Sequence, residues 1–304
     1  MKPILVIFIL IAQIFYGAIL LASSFEYIKR AAEQGEPTAQ YNLGVMYYNG
    51  KGVRQDYEKA RQWFEKAAKQ GNAAAQFRLG FIYENGLGVH QDYTLARHLF
   101  EKAADQGVAR AQFNLGVMYY EGQGVRQNYS KARQWLERAA EQGYAKAQCL
   151  LGFKYYFGQE GVLKDYFIAR QWFEKAAEQG DALAQYYLGL IYENGQGVHP
   201  NYSIARQWFE KAANQGNAEA QFYLGSYYTQ GKGVRRDYSI ARQWFEKASE
   251  QKDAESQHNL GIMYANGMGV RQDLIIAKKW FKEACYNGSL RSCDIYKKLN
   301  EMGY

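Results

Sequence analysis

"DYSIARQWFEKA", residues 237–248, is one of several close copies of a single line: "DYEKARQWFEKA" begins at Asp56, "DYFIARQWFEKA" at Asp165 and "NYSIARQWFEKA" at Asn201. A catalytic site needs its residues once, whereas a line written at fixed intervals marks a stacking unit. The glycine that closes each unit gives the period. It falls at Gly35, Gly71, Gly107, Gly143, Gly180, Gly216 and Gly288, with Lys252 in its place once. The spacing is 36 residues, except for 37 between Gly143 and Gly180, where "YFGQEGV" (156–162) is one residue longer than "YEGQGV" (120–125). Seven full units are expected over 36–288, preceded by a half-unit (25–35) and followed by a capping helix (289–304). Half-units of this kind cover the open ends of a stack.

Within a unit the apolar spacing is helical. The first element, "TAQYNLGVMYYNG" (38–50), sets Ala39, Leu43 and Tyr47 near one face, and the second, "DYEKARQWFEKAAKQG" (56–71), does the same with Tyr57, Ala60, Phe64 and Ala67. Asp56 and its counterparts Asp92, Asn128, Asp165, Asn201, Asp237 and Asp273 stand where an N-cap belongs. The closing glycines suit the residue just past a helix. Strand patterns are absent, so the pattern predicts an all-α solenoid of helix hairpins.

The line "AQYNLGVMYYNGKGVRQDYEKARQWFEKAAKQG" (39–71), with its six copies, resembles the Sel1-like family, relatives of the tetratricopeptide repeat with a longer unit. The departures are Leu99 for a tryptophan, the lengthened turn at 159–162, and Lys252 for a capping glycine. The resemblance implies a right-handed superhelix whose first helices line a concave face. It also implies an adaptor that binds a protein or an extended peptide.

The chain is 48% hydrophobic and 16% aromatic, enough for a long one-dimensional core, and its formal charge is +7. Acidic and basic residues alternate along lines such as "ARQWFEKAAEQG", so no basic stripe points to nucleic acid. "MKPILVIFILIAQIFYGAILLASS" opens the chain with the layout of a secretory signal peptide, cleavage being expected after Ser24. The alternative is an uncleaved anchor over 4–22, the only expected membrane contact. Either reading puts the repeats in a periplasmic or secreted location. Cys285 and Cys293 flank Gly288 at a helix reversal that brings them within disulfide range, and cysteine-rich Sel1-like proteins staple a hairpin with similar spacing. Two small buried thiols are the other reading. Cys149 reads as a core thiol.

Signs of catalysis are few. His90, His98, His199 and His258 form no metal motif, the glycine-rich turns lack phosphate-loop spacing, and no cofactor is expected. "SEQK" (249–252) matches the S-x-x-K of penicillin-recognising enzymes, but Ser249 occupies a repeat position held by Ala32, Ala68 and Ala104, and no SDN or KTG follows. A β-lactamase or penicillin-binding-like hydrolase is therefore the alternative to a scaffold, with a self-assembling structural subunit a third reading. The Arg61–Glu65 type of pair reads as a solvated helix face, and the tryptophans as packing between repeats.

Positions that vary between units are the candidates for partner contact. One set precedes "LG": Asn42, Arg78, Asn114, Leu150, Tyr187, Tyr223 and Asn259. The set four residues on runs Met46, Ile82, Met118, Lys154, Ile191, Tyr227 and Met263, and the set seven on includes Asn49, Glu121 and Phe157. These offsets predict one exposed stripe, aromatic in units four to six, although some members also read as half-buried between helices.

Overall fold

The computed structural model describes residues 25–159 and 161–304, and among these every regular element is a helix. The leader falls outside the described residues. Two compact units divide after Tyr144. In the first, a helical segment over 25–33 (α1) is followed by α2 (Pro37–Asn49), α3 (Tyr57–Lys69), α4 (Ala73–Asn85), α5 (Tyr93–Asp105), α6 (Ala109–Glu121) and α7 (Tyr129–Glu141). The second opens with α8 (Ala145–Phe157), α9 (Tyr166–Glu178), α10 (Ala182–Asn194) and α11 (Tyr202–Asn214). It continues through α12 (Ala218–Gln230), α13 (Tyr238–Glu250), α14 (Ala254–Asn266), α15 (Leu274–Tyr286) and α16 (Leu290–Glu301). From α2 to α7, and from α8 to α16, each helix packs on the next. The fold is an all-α repeat solenoid.

The boundaries follow from the caps. Asp56 accepts the Lys59 amide at 2.9 Å, and Asp92, Asn128, Asp165, Asn201, Asp237 and Asp273 do the same for their helices. At the far end of α13, Lys252 takes φ 64°, the one non-glycine with a positive φ among the described residues. The other units place glycine there, which has no Cβ to crowd the carbonyl. Lys252→Gly is expected to raise stability by about 0.5–1 kcal/mol, read as a higher urea midpoint with an unchanged slope. An unchanged or lower midpoint would refute the strain.

Each hairpin is locked where a glycine of the first helix meets a large side chain of the second. Phe64 lies over Gly44, and the match recurs at Gly80–Phe100, Gly116–Leu136, Gly152–Phe173, Gly189–Phe209, Gly225–Phe245 and Gly261–Phe281. These rings and Leu136 are fully or almost fully buried.

A second device joins one hairpin to the next. Gln40 is buried, donates to the Ala32 carbonyl of the preceding element at 3.2 Å, and accepts from Gln70 at the end of α3 at 2.8 Å. Gln76 and Gln112 repeat this with Gln106 and Gln142. In the second unit Gln185, Gln221 and Gln257 do so with Gln215, Gln251 and Asn287. Each amide thus satisfies a carbonyl of the previous second helix while holding the end of its own.

Arginine–glutamate pairs such as Arg61–Glu65, Arg97–Glu101 and Arg170–Glu174 are less solvated than their sequence pattern predicts, whereas Arg133–Glu137 is more exposed. Both side chains of Arg61–Glu65 are partly buried, and the Tyr83 hydroxyl of the next repeat donates to Glu65 at 3.3 Å. Tyr119 and Tyr192 donate likewise to Glu101 and Glu174. Trp63, Trp135, Trp208, Trp244 and Trp280 lie between repeats as expected. Trp63 packs on Ala32, Ala39 and Leu43, and the Lys66 ammonium sits 3.9 Å from its ring centroid. Cys285 and Cys293 are bonded, with Cα atoms 4.7 Å apart, so α15 and α16 are covalently tied. Nearby, His258 on α14 is buried with Nδ1 2.8 Å from the Ser292 hydroxyl of α16, and burial together with Arg291 lowers its pKa to about 4.

Candidate functional site

The first helices carry the candidate stripe, and the structure divides it. The set before "LG" reaches solvent: Asn42 is exposed, and Arg78, Asn114, Leu150, Tyr187 and Tyr223 are half-buried. The set seven residues on is exposed throughout, with Phe157 at 46%. The intermediate set is not part of an accessible face. Met46 retains 8% exposure, Lys154 4% and Tyr227 1%, and Ile82, Met118, Ile191 and Met263 are buried too. The reason is angular: at about 100° per residue, Met46 lies about 20° from Ala39 on the packing side and about 40° from Asn42. The return turn closes over it at Gly52. These three candidates are core residues.

What remains differs between the two units. In the first, the stripe is polar. The Arg78 guanidinium lies 5.7 Å from the Tyr48 ring centroid, and the Asn114 amide reaches Glu84 at 3.5 Å. Burial, with Glu121 nearby, raises the Glu84 carboxyl pKa.

The second unit carries an aromatic seam across α8, α10 and α12. Phe157 meets Tyr187 edge-on at 6.0 Å, and Phe153 meets the same ring at 4.6 Å. Tyr186 touches Tyr187 at 5.2 Å and Tyr223 at 6.0 Å, which carries the contact from α10 to α12. Tyr187 stacks on Phe173 and Tyr223 on Phe209, at 5.4 and 4.7 Å. Tyr187 and Tyr223 are therefore each backed by the phenylalanine that plugs a hairpin, and Phe157 rests on Tyr187, so the seam is rigid as well as apolar. Burial raises the pKa of both hydroxyls, with Glu219 adding to the effect at Tyr187 and Glu193 at Tyr223. Glu193 is held by Lys232 at 2.6 Å. Sequence reasoning missed Phe153 and Tyr186, whose signal was their place beside the variable positions.

Such a surface offers shape and π-faces to a ligand. The Ser249 hydroxyl donates to the Glu246 carbonyl inside α13 at 2.7 Å, and Lys252 is exposed beyond the helix end. This pair has the geometry of a helix terminus. Among the described residues no three His, Cys, Asp or Glu side chains form a metal-binding group, and no helix is long and apolar enough to cross a membrane.

The Sel1 repeat model matches the chain at residues 21–36, 37–72, 73–108, 109–144, 145–181, 182–217, 218–253 and 254–289. Two solved structures are similar over nearly all of it. One is a protective antigen present in uropathogenic Escherichia coli strains displaying an SLR fold, 38% identical with a TM-score of 0.88, covering 92% of this chain and 60% of that one. The other is a Sel1 repeat protein from Oxalobacter formigenes, 36% identical with a TM-score of 0.71, covering 91% of this chain and 80% of that one. The chain thus spans less than two thirds of the Escherichia coli antigen. No curated protein sequence matches it.

Proposed function

The chain belongs to the Sel1 repeat family, and from that premise we propose that it is a scaffold holding a partner protein, or an extended peptide, along the first helices of residues 145–304. Sel1 repeats generally serve protein interaction. The observation that carries the finer reading is the seam of Phe157, Tyr187 and Tyr223, whose rings reach solvent from a fully packed base. Rigid aromatic anchors of this kind dominate the energy of protein interfaces, because little side-chain freedom is lost when they are covered. Binding proceeds without chemistry: the repeats supply a fixed surface and bring bound segments close together.

We also propose an exported location. The Cys285–Cys293 disulfide supports it, since such bonds persist in oxidising compartments. The apolar leader agrees with it.

The test is affinity capture from an envelope extract, using the chain from residue 25 onward beside Phe157→Ala/Tyr223→Ala and, as a control on another exposed ring, Tyr286→Ala. A partner retained by wild type and control should bind the double variant about thirtyfold more weakly or worse, a single anchor being worth about 2 kcal/mol. A folded double variant that captures the partner as well as wild type would move the site off this seam.

A further inference from the structure

Six second helices carry tryptophan at one register position, and α5 carries Leu99 there. Trp63 shows what the indole covers: the cluster of Ala32, Ala39 and Leu43. The matching seat in the next repeat is Ala68, Ala75 and Leu79. Leu99 is too short to close it. Leu79 keeps 5% exposure where Leu43 and Leu115 keep none, and Ala68 is partly exposed where Ala32, Ala104 and Ala140 are buried. What is left is an open cavity of about 180 Å³, floored by Ala68, Leu79 and Leu99.

Its rim is basic. Lys69 and Lys102 line the mouth together with Glu65, whose charge is already met by Arg61 and the Tyr83 hydroxyl. Lys102 stands where Lys66, Arg138, Lys175, Lys211 and Lys247 lie over their tryptophan rings, and its own helix has Leu99 in place of that ring.

We propose that this groove is a second binding site, which receives a tryptophan side chain from a partner protein with a carboxylate next to it in the partner's sequence. The indole completes the seat that the chain fills for itself in other repeats, Lys102 covers its face, and Lys69 meets the acid. The partner supplies in trans the side chain that α5 lacks. The site shares no residue with the aromatic seam and stands whether or not the seam binds anything.

The probe is N-acetyl-5-fluorotryptophyl-glutamate, followed by fluorine NMR as the chain is titrated. Wild type should give saturable line broadening, and Leu99→Trp, which fills the seat from within, should bind at least tenfold more weakly. Lys69→Gln/Lys102→Gln should abolish the preference for this probe over its glutamine counterpart. Leu99→Trp should melt no lower than wild type. Equal binding by folded Leu99→Trp, or no saturation by wild type, would overturn the site, and a lowered melting temperature would show that the seat does not take an indole. Sedimentation gives the last arm: dimers of wild type that Leu99→Trp abolishes would assign the seat to a second copy of the chain and overturn the partner.

Discussion

Gly189→Ala is expected to cost about 3 kcal/mol of stability, the upper range for overpacking a closed core. A Cβ built at Gly189 meets the Phe209 ring at 2.4 Å, and neither side can give way easily. The ring is fully buried, with Tyr223 stacked against it and Tyr227 meeting it edge-on. α10 and α11 would have to move apart. Gly180→Ala is the control, because a Cβ there meets nothing within 4 Å and the penalty comes from its φ of 91° alone. That change should cost only about 1 kcal/mol. Urea denaturation followed by circular dichroism separates the two. Phe209→Ala, destabilising by itself, should also relieve part of the Gly189→Ala penalty in the double variant. Equal costs for the two glycines, or strict additivity, would show that the close approach does not limit the fold.

The second large effect is at Gln185, where the order of two variants matters more than either value. The side chain donates to the Ala177 carbonyl at 3.1 Å and accepts from Gln215 at 2.8 Å, and it is 4% exposed. Gln185→Leu keeps the volume but removes the side-chain donor, leaving the Ala177 carbonyl to the backbone amide of Gly180 at 3.0 Å. Gln215 is exposed and can turn to water, so the loss should be about 1 kcal/mol. Gln185→Glu should be worse at neutral pH, about 3 kcal/mol or more, because an ionised carboxylate would face the Ala177 carbonyl with no proton to offer. Burial would raise that carboxyl's folded pKa above its unfolded value of about 4.3. Protonation then favours the folded state, so the variant regains stability relative to wild type as pH falls through the raised pKa. Denaturation midpoints at pH 7 and pH 5 test this. A Gln185→Glu variant as stable as Gln185→Leu at pH 7, with no relative gain at pH 5, would mean that the amide is not the donor it is drawn as.

The repeat, the helix pairs, the N-caps and the closing glycines were all legible because each is set by its own residue and a few neighbours. Asp56 caps the helix that begins one residue later. Asn42 and Phe157 were legible for a related reason: both vary between repeats, and both stand off the packing positions of their own helices, Ala39 and Leu43 in α2 and Ala147 and Leu151 in α8. Met46, Lys154 and Tyr227 also vary, yet variation alone does not separate a solvent position from a core position that each repeat fills differently. Tyr227 does the work of Met46 and Ile82 in its own layer. The glutamine pairs were invisible for the opposite reason. Gln40 and Gln70 repeat faithfully, but one partner is the Ala32 carbonyl of a neighbouring hairpin, and only the stacked geometry brings that atom within reach. Leu99 stood out in the sequence as a departure, whereas its consequence depends on the depth of the seat beneath it.

The glutamine pairs also bear on how such a gene can change. Donor and acceptor lie 30 residues apart in Gln70–Gln40, Gln106–Gln76 and Gln215–Gln185, and 31 apart only in Gln179–Gln148, across the longer repeat. Removal of 36 residues within one unit, from any starting point clear of that repeat, rejoins a helix to its equivalent with the amides, the glycine holes and the tryptophan seats still in phase. Unequal crossing-over between near-identical repeats can thus lengthen or shorten the protein in whole steps, and each product inherits a complete set of contacts. What the crossover changes is the order of the variable side chains, so recombination that leaves the packing intact redraws the binding surface.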